Sequence, residues 1–232
     1  RVAAGAIAVK MLSSLGVSFL TYTKSIGCIE IAPENFKVDE INNNSLYMPD
    51  AAAAKKAGIY LEECIKNQNS SGGVCECIIT GLPVGLGDPV FEKIDANLAK
   101  AIMSIGAVKG FEIGDGFEAA KATGLTNNDA FIIKDGIVEK ATNHSGGTLG
   151  GMTDGSPLIL RAAIKPTPSI ASTQHTVNKS GENIDISIKG RHDPIIVPRA
   201  VVVVESMAAI TIADALLINM ASRMDKIIDF YK

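Results

Sequence analysis

The sequence predicts an α+β protein, a β-α layered sandwich with helices enclosed between antiparallel sheets. Three observations predict it. Stretches with strand-like alternation take turns with stretches of helical spacing along most of the chain. Residues Val202 to Tyr231 read as one long, mostly apolar helix, which needs a layer on either side to leave water. No short repeat and no clean linker divides residues 1–232, which read as a single domain, either one large body or two tightly joined halves.

Taken in order, Arg1 to Leu12 is an apolar helix already under way, with no cap, no initiator methionine and no signal-peptide flanks. The domain is accordingly expected to be incomplete at its N-terminus. Val17 to Thr23 alternates like a strand, Asn42 to Ser45 is a loop, and Met48 to Ile65 suits a helix begun after Pro49 or Asp50. Ser70 to Gly73 is a turn by composition, and Val74 to Thr80 is β-rich. Phe91 to Ile105 returns to helical spacing, with Ile94, Leu98, Ala101 and Ile102 on one face. Val108 to Gly114 is a strand. Gly114 to Gly155 follows as a glycine-rich polar region with little periodicity, too long for an idle linker and so expected to be functional or disordered. Ser156 to Ile164 and Glu182 to Lys189 alternate like antiparallel strands, and the final helix carries Glu205 near its start.

With 47% apolar residues the chain can bury a sizeable core. A net charge of −3, with lysines scattered among acids, gives no basic field for nucleic acid or anionic lipid, so an anionic ligand must meet a local cluster of cations. The longest purely apolar run lies around Val201 to Val204, far below the roughly 20 residues that span a bilayer. No membrane or nucleic-acid partner is expected. Cys28, Cys64, Cys75 and Cys77 lack both C-x-x-C spacing and the density of a disulfide scaffold, which suits reduced thiols in the cytoplasm. Cys75 and Cys77 share one strand face and read as packed apolar side chains; no metal site is expected.

Four stretches put glycine, proline or charge where a plain core would not want it: Gly81 to Pro89, Thr142 to Gly155, Lys165 to Ile170, and Gly190 to Ala200. The glycines of Asn143 to Gly155 let backbone approach a ligand and leave N–H groups free, although such stretches are mostly just turns and this one matches neither a P-loop nor a dinucleotide fingerprint. Lys165-Pro-Thr-Pro-Ser169 is a stiff extended edge with one cation and two hydroxyls, suited to a phosphate or a flavin ring, or else a strand-ending turn with a solvated lysine. Gly190-Arg-His-Asp-Pro194 sets a fixed cation, an imidazole and a carboxylate on consecutive residues. Arg191 and Asp193 would face one side and His192 the other, either as a surface ion pair or with Asp193 as a proton acceptor. His144 and His175 read as solvated or hydrogen-bonded loop residues, and the aspartates of Gly114-Asp-Gly116 and Asp154 as turn residues.

In order and across nearly the whole chain, these stretches resemble the chorismate synthase family. The resemblance is carried by Arg1 to Ala6, Gly81 to Asp95, Met103 to Phe117, Asn143-His-Ser-Gly-Gly147, Gly190-Arg-His-Asp-Pro194 with Pro198-Arg-Ala200, and Glu205-Ser-Met207. It implies loss of phosphate and a ring proton from 5-enolpyruvylshikimate 3-phosphate in a 1,4-elimination giving chorismate. Reduced FMN would be required yet not consumed, with NADPH as a possible reductant, in a cytoplasmic homotetramer. It places flavin contacts on Gly106, Ala107, Gly150, Lys165, Pro166, Thr167, Pro168, Ser169 and Arg191. It gives catalytic roles to Arg191, His192 and Asp193, with Asp193 assisting proton movement near the flavin, and substrate contacts to Arg191 and Arg199. Arg199 could equally be a structural partner of Glu205. Gly106 stands where proline, asparagine or glutamine is usual, and Ser145 and Thr148 where alanine and isoleucine are common. The family's Gly-Glu-Ser-His-Gly block, its second catalytic histidine and its substrate-binding arginines have no counterpart before Arg1, so the rival expectation is a flavin-binding module without lyase activity.

Overall fold

The computed structural model describes residues 1–188, 190 and 193–232. In chain order the elements are α1 (Val2–Ser13), β1 (Ser18–Ile26), β2 (Ile29–Glu30), α2 (Ala51–Lys66), β3 (Gly73–Thr80), α3 (Ile94–Met103) and β4 (Val108–Ile113). Then come α4 (Gly124–Asn127), β5 (Phe131–Lys134), β6 (Ile137–Lys140), β7 (Thr148–Leu149), β8 (Met152–Thr153) and β9 (Leu158–Ile164). β10 (Gln174–Val177), β11 (Asn183–Ile186), α5 (Val197–Met220) and α6 (Met224–Tyr231) complete the chain. The mixture of helices with antiparallel hairpins is the expected α+β class.

The chain folds into two compact units, the first from 1–21, 76–162 and 202–232, the second from 22–75 and 163–201. In the first, portions of β1, β3 and β9 lie beside β4 in the order β1-β3-β9-β4. Leu12, Leu98, Ile102, Leu158, Leu160, Val204, Ala208 and Ile212 are fully buried in its core. The stripe Ile94, Leu98, Ile102 along α3 is fully buried, as its spacing predicts, while Ala101 falls off it and is half-buried. Helix α1 presses its backbone onto α5: a Cβ added at Gly5 would stand 2.2 Å from the Ser206 Cβ. Only glycine permits that approach.

In the second unit the remaining portions of the strands join β2 in the order β2-β1-β3-β9. Helix α2 starts where the sequence placed it, because Asp50 caps it. Its Oδ1 accepts from the Ala52 and Ala53 N–H groups at 2.9 and 3.0 Å, and its Oδ2 from the Ala32 N–H at 3.1 Å. Burial pushes this carboxyl up, but the donors outweigh it and hold it below its ordinary value. Ala53, Ala57, Leu61 and Cys64 form the buried face of the helix.

Cys75 and Cys77 are packed and fully buried; burial pushes the Cys77 thiol up to about 12, and the Cys75 thiol donates to the Val197 carbonyl at 3.6 Å. Two expectations need correction. The region from Gly114 to Gly155 is not irregular throughout: it holds the β5–β6 hairpin, turned by Asp135 and Gly136 at φ 51° and 79°. An Asp-Gly pair between two apolar runs is a strong hairpin signal, and it was there to be read. The terminal helix begins earlier than Val202, at Val197 with Pro198 in its first turn, and breaks at Ala221–Arg223 before α6. Helix α5 is long and apolar enough to cross a membrane by length and composition, with a mean hydropathy of 2.1. Counting the Val201–Val204 run misses this, since Glu205, Ser206, Thr211 and Asp214 interrupt the apolar run without interrupting the helix.

Candidate functional site

Of the residues expected to hold ligand, Gly106, Ala107 and Gly150 belong to the first unit, and Lys165 to Ser169, Asp193 and Arg199 to the second. Gly106 and Ala107 turn the chain from α3 into β4. Ala107 is held at φ 69°, a left-handed conformation that costs a non-glycine residue on the order of 1–3 kcal/mol and that tends to persist where backbone serves a ligand. Gly106 is exposed with open space where a Cβ would stand, so a larger side chain would meet nothing there.

Gly150 and Gly151 make the tight turn between β7 and β8, with φ 62° and 89°, the mirror-image turn that two-residue hairpins favour. The turn is tied to α3 by the Ile94 N–H, which donates to the Gly151 carbonyl at 2.8 Å. Thr153 ties it to the Gly81–Pro89 stretch. Its hydroxyl donates to the Pro83 carbonyl at 2.6 Å and accepts from the Leu86 N–H at 2.9 Å, and its carbonyl accepts from the Gly85 N–H at 2.8 Å. Two of the four singled-out stretches are thus hydrogen-bonded together.

The sequence reading missed the charges beneath this loop. Asp129, Lys140 and Asp154 have side chains 7%, 6% and 7% exposed. Lys140 contacts Asp154 and lies 3.8 Å from Asp129, so Asp154 is more than a turn residue. Nearby, Arg161 reaches Glu112 at 2.9 Å, Glu76 at 3.2 Å and the Gly114 carbonyl. A lone arginine inside the apolar run Leu158–Ile164 was a usable signal, since a cation there needs partners. His144 is hydrogen-bonded as expected, through Nδ1 to Asp115 at 2.7 Å. His175 pairs across the β10–β11 hairpin with Asp185.

In the second unit, Lys165-Pro-Thr-Pro-Ser169 leaves β9 as an extended segment pinned by its carbonyls. The Ser70 hydroxyl donates to the Thr167 carbonyl at 2.7 Å, and the Gln174 side-chain amide to the Pro168 carbonyl at 3.2 Å. The Thr167 Oγ1 is buried and has no hydrogen-bond partner among the described residues. Asp193 and Arg199 form a two-pronged pair, at 2.8 Å from Nη1 and 3.2 Å from Nη2. The alternative partner for Arg199, Glu205, is not the one used. Burial instead pushes the Glu205 carboxyl above its ordinary value, with the Thr21 hydroxyl acting the other way. Arg191 and His192 lie outside the described residues.

Helices, antiparallel hairpins, left-handed turns at Ala107 and Gly150 and a proline-stiffened segment at Lys165 to Ser169 define an α+β protein. A sequence model of the family described as chorismate synthase matches residues 1–217. The chain is 83% identical over its whole length to the chorismate synthase of Agathobacter rectalis, spanning 63% of that protein, and 60% identical to that of Lachnospira eligens, again spanning 63%. The chorismate synthase of Archaeoglobus fulgidus is 48% identical over 94% of this chain and 62% of its own length. A solved structure titled "Crystal Structure of Chorismate Synthase" superposes with a TM-score of 0.79 at 32% identity, over 94% of this chain and 62% of that one. The chain belongs to the chorismate synthase family, and it spans somewhat under two thirds of the length of these relatives.

Proposed function

We propose that this protein, its two units acting as one domain, performs the family's reaction in the cytoplasm: the 1,4-elimination of phosphate from 5-enolpyruvylshikimate 3-phosphate to give chorismate, in the shikimate route to aromatic amino acids, with reduced FMN bound. The carrying observation is the buried Thr167 hydroxyl, without a partner among the described residues, on a segment stiffened by two prolines. A buried hydroxyl left unpaired costs on the order of 1–3 kcal/mol, which a ligand acceptor removes. The residues present fit a flavin. Within the second unit Thr167 and Ser169 offer hydroxyls and Lys165 a cation for a phosphate; within the first, taken by itself, Ala107 and Gly150 offer backbone in left-handed conformations. Reduced flavin, when bound, would supply electron density to the reaction. Asp193, fixed by Arg199, accepts or returns a proton, and Arg199 with Arg191 steadies the departing phosphate.

The test is an anaerobic assay of chorismate release with 5-enolpyruvylshikimate 3-phosphate and reduced FMN. FMN binding without turnover favours the flavin-binding module instead. Gly150→Val should raise the FMN dissociation constant by about tenfold or more. Open space surrounds the position, so the cost lies in the left-handed backbone that a β-branched residue resists. Gly150→Asn, which tolerates that backbone, should bind nearly as well as the parent, and unchanged affinity in the valine variant removes the loop from the site. We also propose a homotetramer, since α5 leaves Val202, Leu217, Ile218 and Met220 exposed. Light scattering should give a species well above monomer mass at micromolar protein; a monomer refutes it.

A further inference from the structure

The loop from Thr142 to Gly155 takes its shape from one carboxylate. Asp129, just before β5, accepts from the His144 N–H at 2.8 Å, the Thr142 hydroxyl at 2.7 Å, the Ser145 N–H at 3.0 Å and the Ser145 hydroxyl at 2.7 Å. These donors fix the entry of the loop. Lys140, 3.8 Å from the same carboxylate and 3.2 Å from the Ser145 hydroxyl, carries the connection to Asp154. Asp154 fixes the exit: its Oδ1 accepts from the Ser156 N–H at 2.9 Å, and its own N–H donates to the Gly147 carbonyl at 3.1 Å. The Gly150–Gly151 turn rides between two ends held by one buried acid–base–acid chain.

We propose that Asp129 is a positioning residue for flavin binding, holding the Gly150 backbone in place through the two anchored ends of this loop. The proposal rests on the flavin reading above. Two carboxylates and one ammonium are a costly way to fill a core, since their removal from water is offset only by accurate geometry, and well-packed apolar side chains often serve stability as well or better. What the cluster does provide is direction. Both oxygens of Asp129 point at the backbone and hydroxyls of residues 142–145, and the donors hold the carboxyl well below its ordinary value against the upward push of burial, so it stays charged throughout the working pH range. The Ser145 hydroxyl sits between Asp129 and Lys140.

The test titrates FMN into the parent and Asp129→Asn well below their unfolding temperatures, recording the dissociation constant and the visible spectrum of bound flavin. Loss of the charge-assisted bonds should raise the dissociation constant by about tenfold and change the bound spectrum, with the far-ultraviolet circular dichroism unchanged. A purely structural role would lower the unfolding temperature without moving either flavin readout. A folded Asp129→Asn protein that binds FMN within about twofold of the parent, with the parental spectrum, overturns the proposal. Should that variant fail to fold, Thr142→Ala with Ser145→Ala decides. It removes two donors and keeps the charges, and its affinity should fall at least about threefold, parental affinity again overturning the proposal. A parent that binds no FMN defeats the flavin reading and this proposal with it, a result distinct from a parent that binds and a variant that binds equally.

Discussion

Replacing Asp193 by asparagine should lower the rate of chorismate formation by ~10²–10⁴-fold, the usual loss when a general acid–base group is removed, while FMN and substrate still bind. Asparagine keeps the shape and one oxygen toward Arg199 but loses the basic oxygen. The Arg199 pair gives the experiment a second arm. If Asp193 serves only to orient Arg199, now 2.8 Å away, the loss should appear in the dissociation constants of flavin and phosphorylated substrate together. Arg199→Ala should then reproduce it, because a guanidinium without its carboxylate loses its fixed direction. Turnover within about threefold of the parent would eliminate both roles, since even the low end of the expected loss is far larger.

Gly5→Val should cost at least ~3 kcal/mol of stability, the upper end of ordinary overpacking and a large share of the 5–15 kcal/mol that holds a domain together. The new Cβ would stand 2.2 Å from the Ser206 Cβ and 2.5 Å from the Ser206 Cα. Because backbone is part of the clash, Ser206→Gly should not rescue it. The sign of the smaller change is the sharper check. In a free helix Gly→Ala stabilises by up to ~1 kcal/mol, whereas here it should destabilise. Denaturant unfolding of Gly5→Ala at or above parental stability would show that α1 and α5 are not in backbone contact.

What could be read from the sequence was what is written locally. Asp50 announces α2 because its cap bonds reach only two and three residues ahead, and the stripe Ile94, Leu98, Ile102 announces α3 because helical spacing is itself local. Lys165 to Ser169 was legible as a stiff edge from its prolines alone. The Asp129 network was not, since its partners lie 13 to 16 residues away in a stretch without periodicity. Nor was the partner of Arg199: Asp193 and Glu205 are each six residues from it, and only the course of the chain into α5 decides between them. The left-handed backbone at Ala107 carries no compositional mark at all.

The chain passes from one compact unit to the other between residues 21 and 22, 75 and 76, 162 and 163, and 201 and 202. Neither unit is therefore an uninterrupted stretch of sequence. No single cut releases either one whole. Each must close by joining segments far apart along the polymer, the class of topology that reaches its native state slowly, because the entropy of closing long loops is spent before the distant contacts return it.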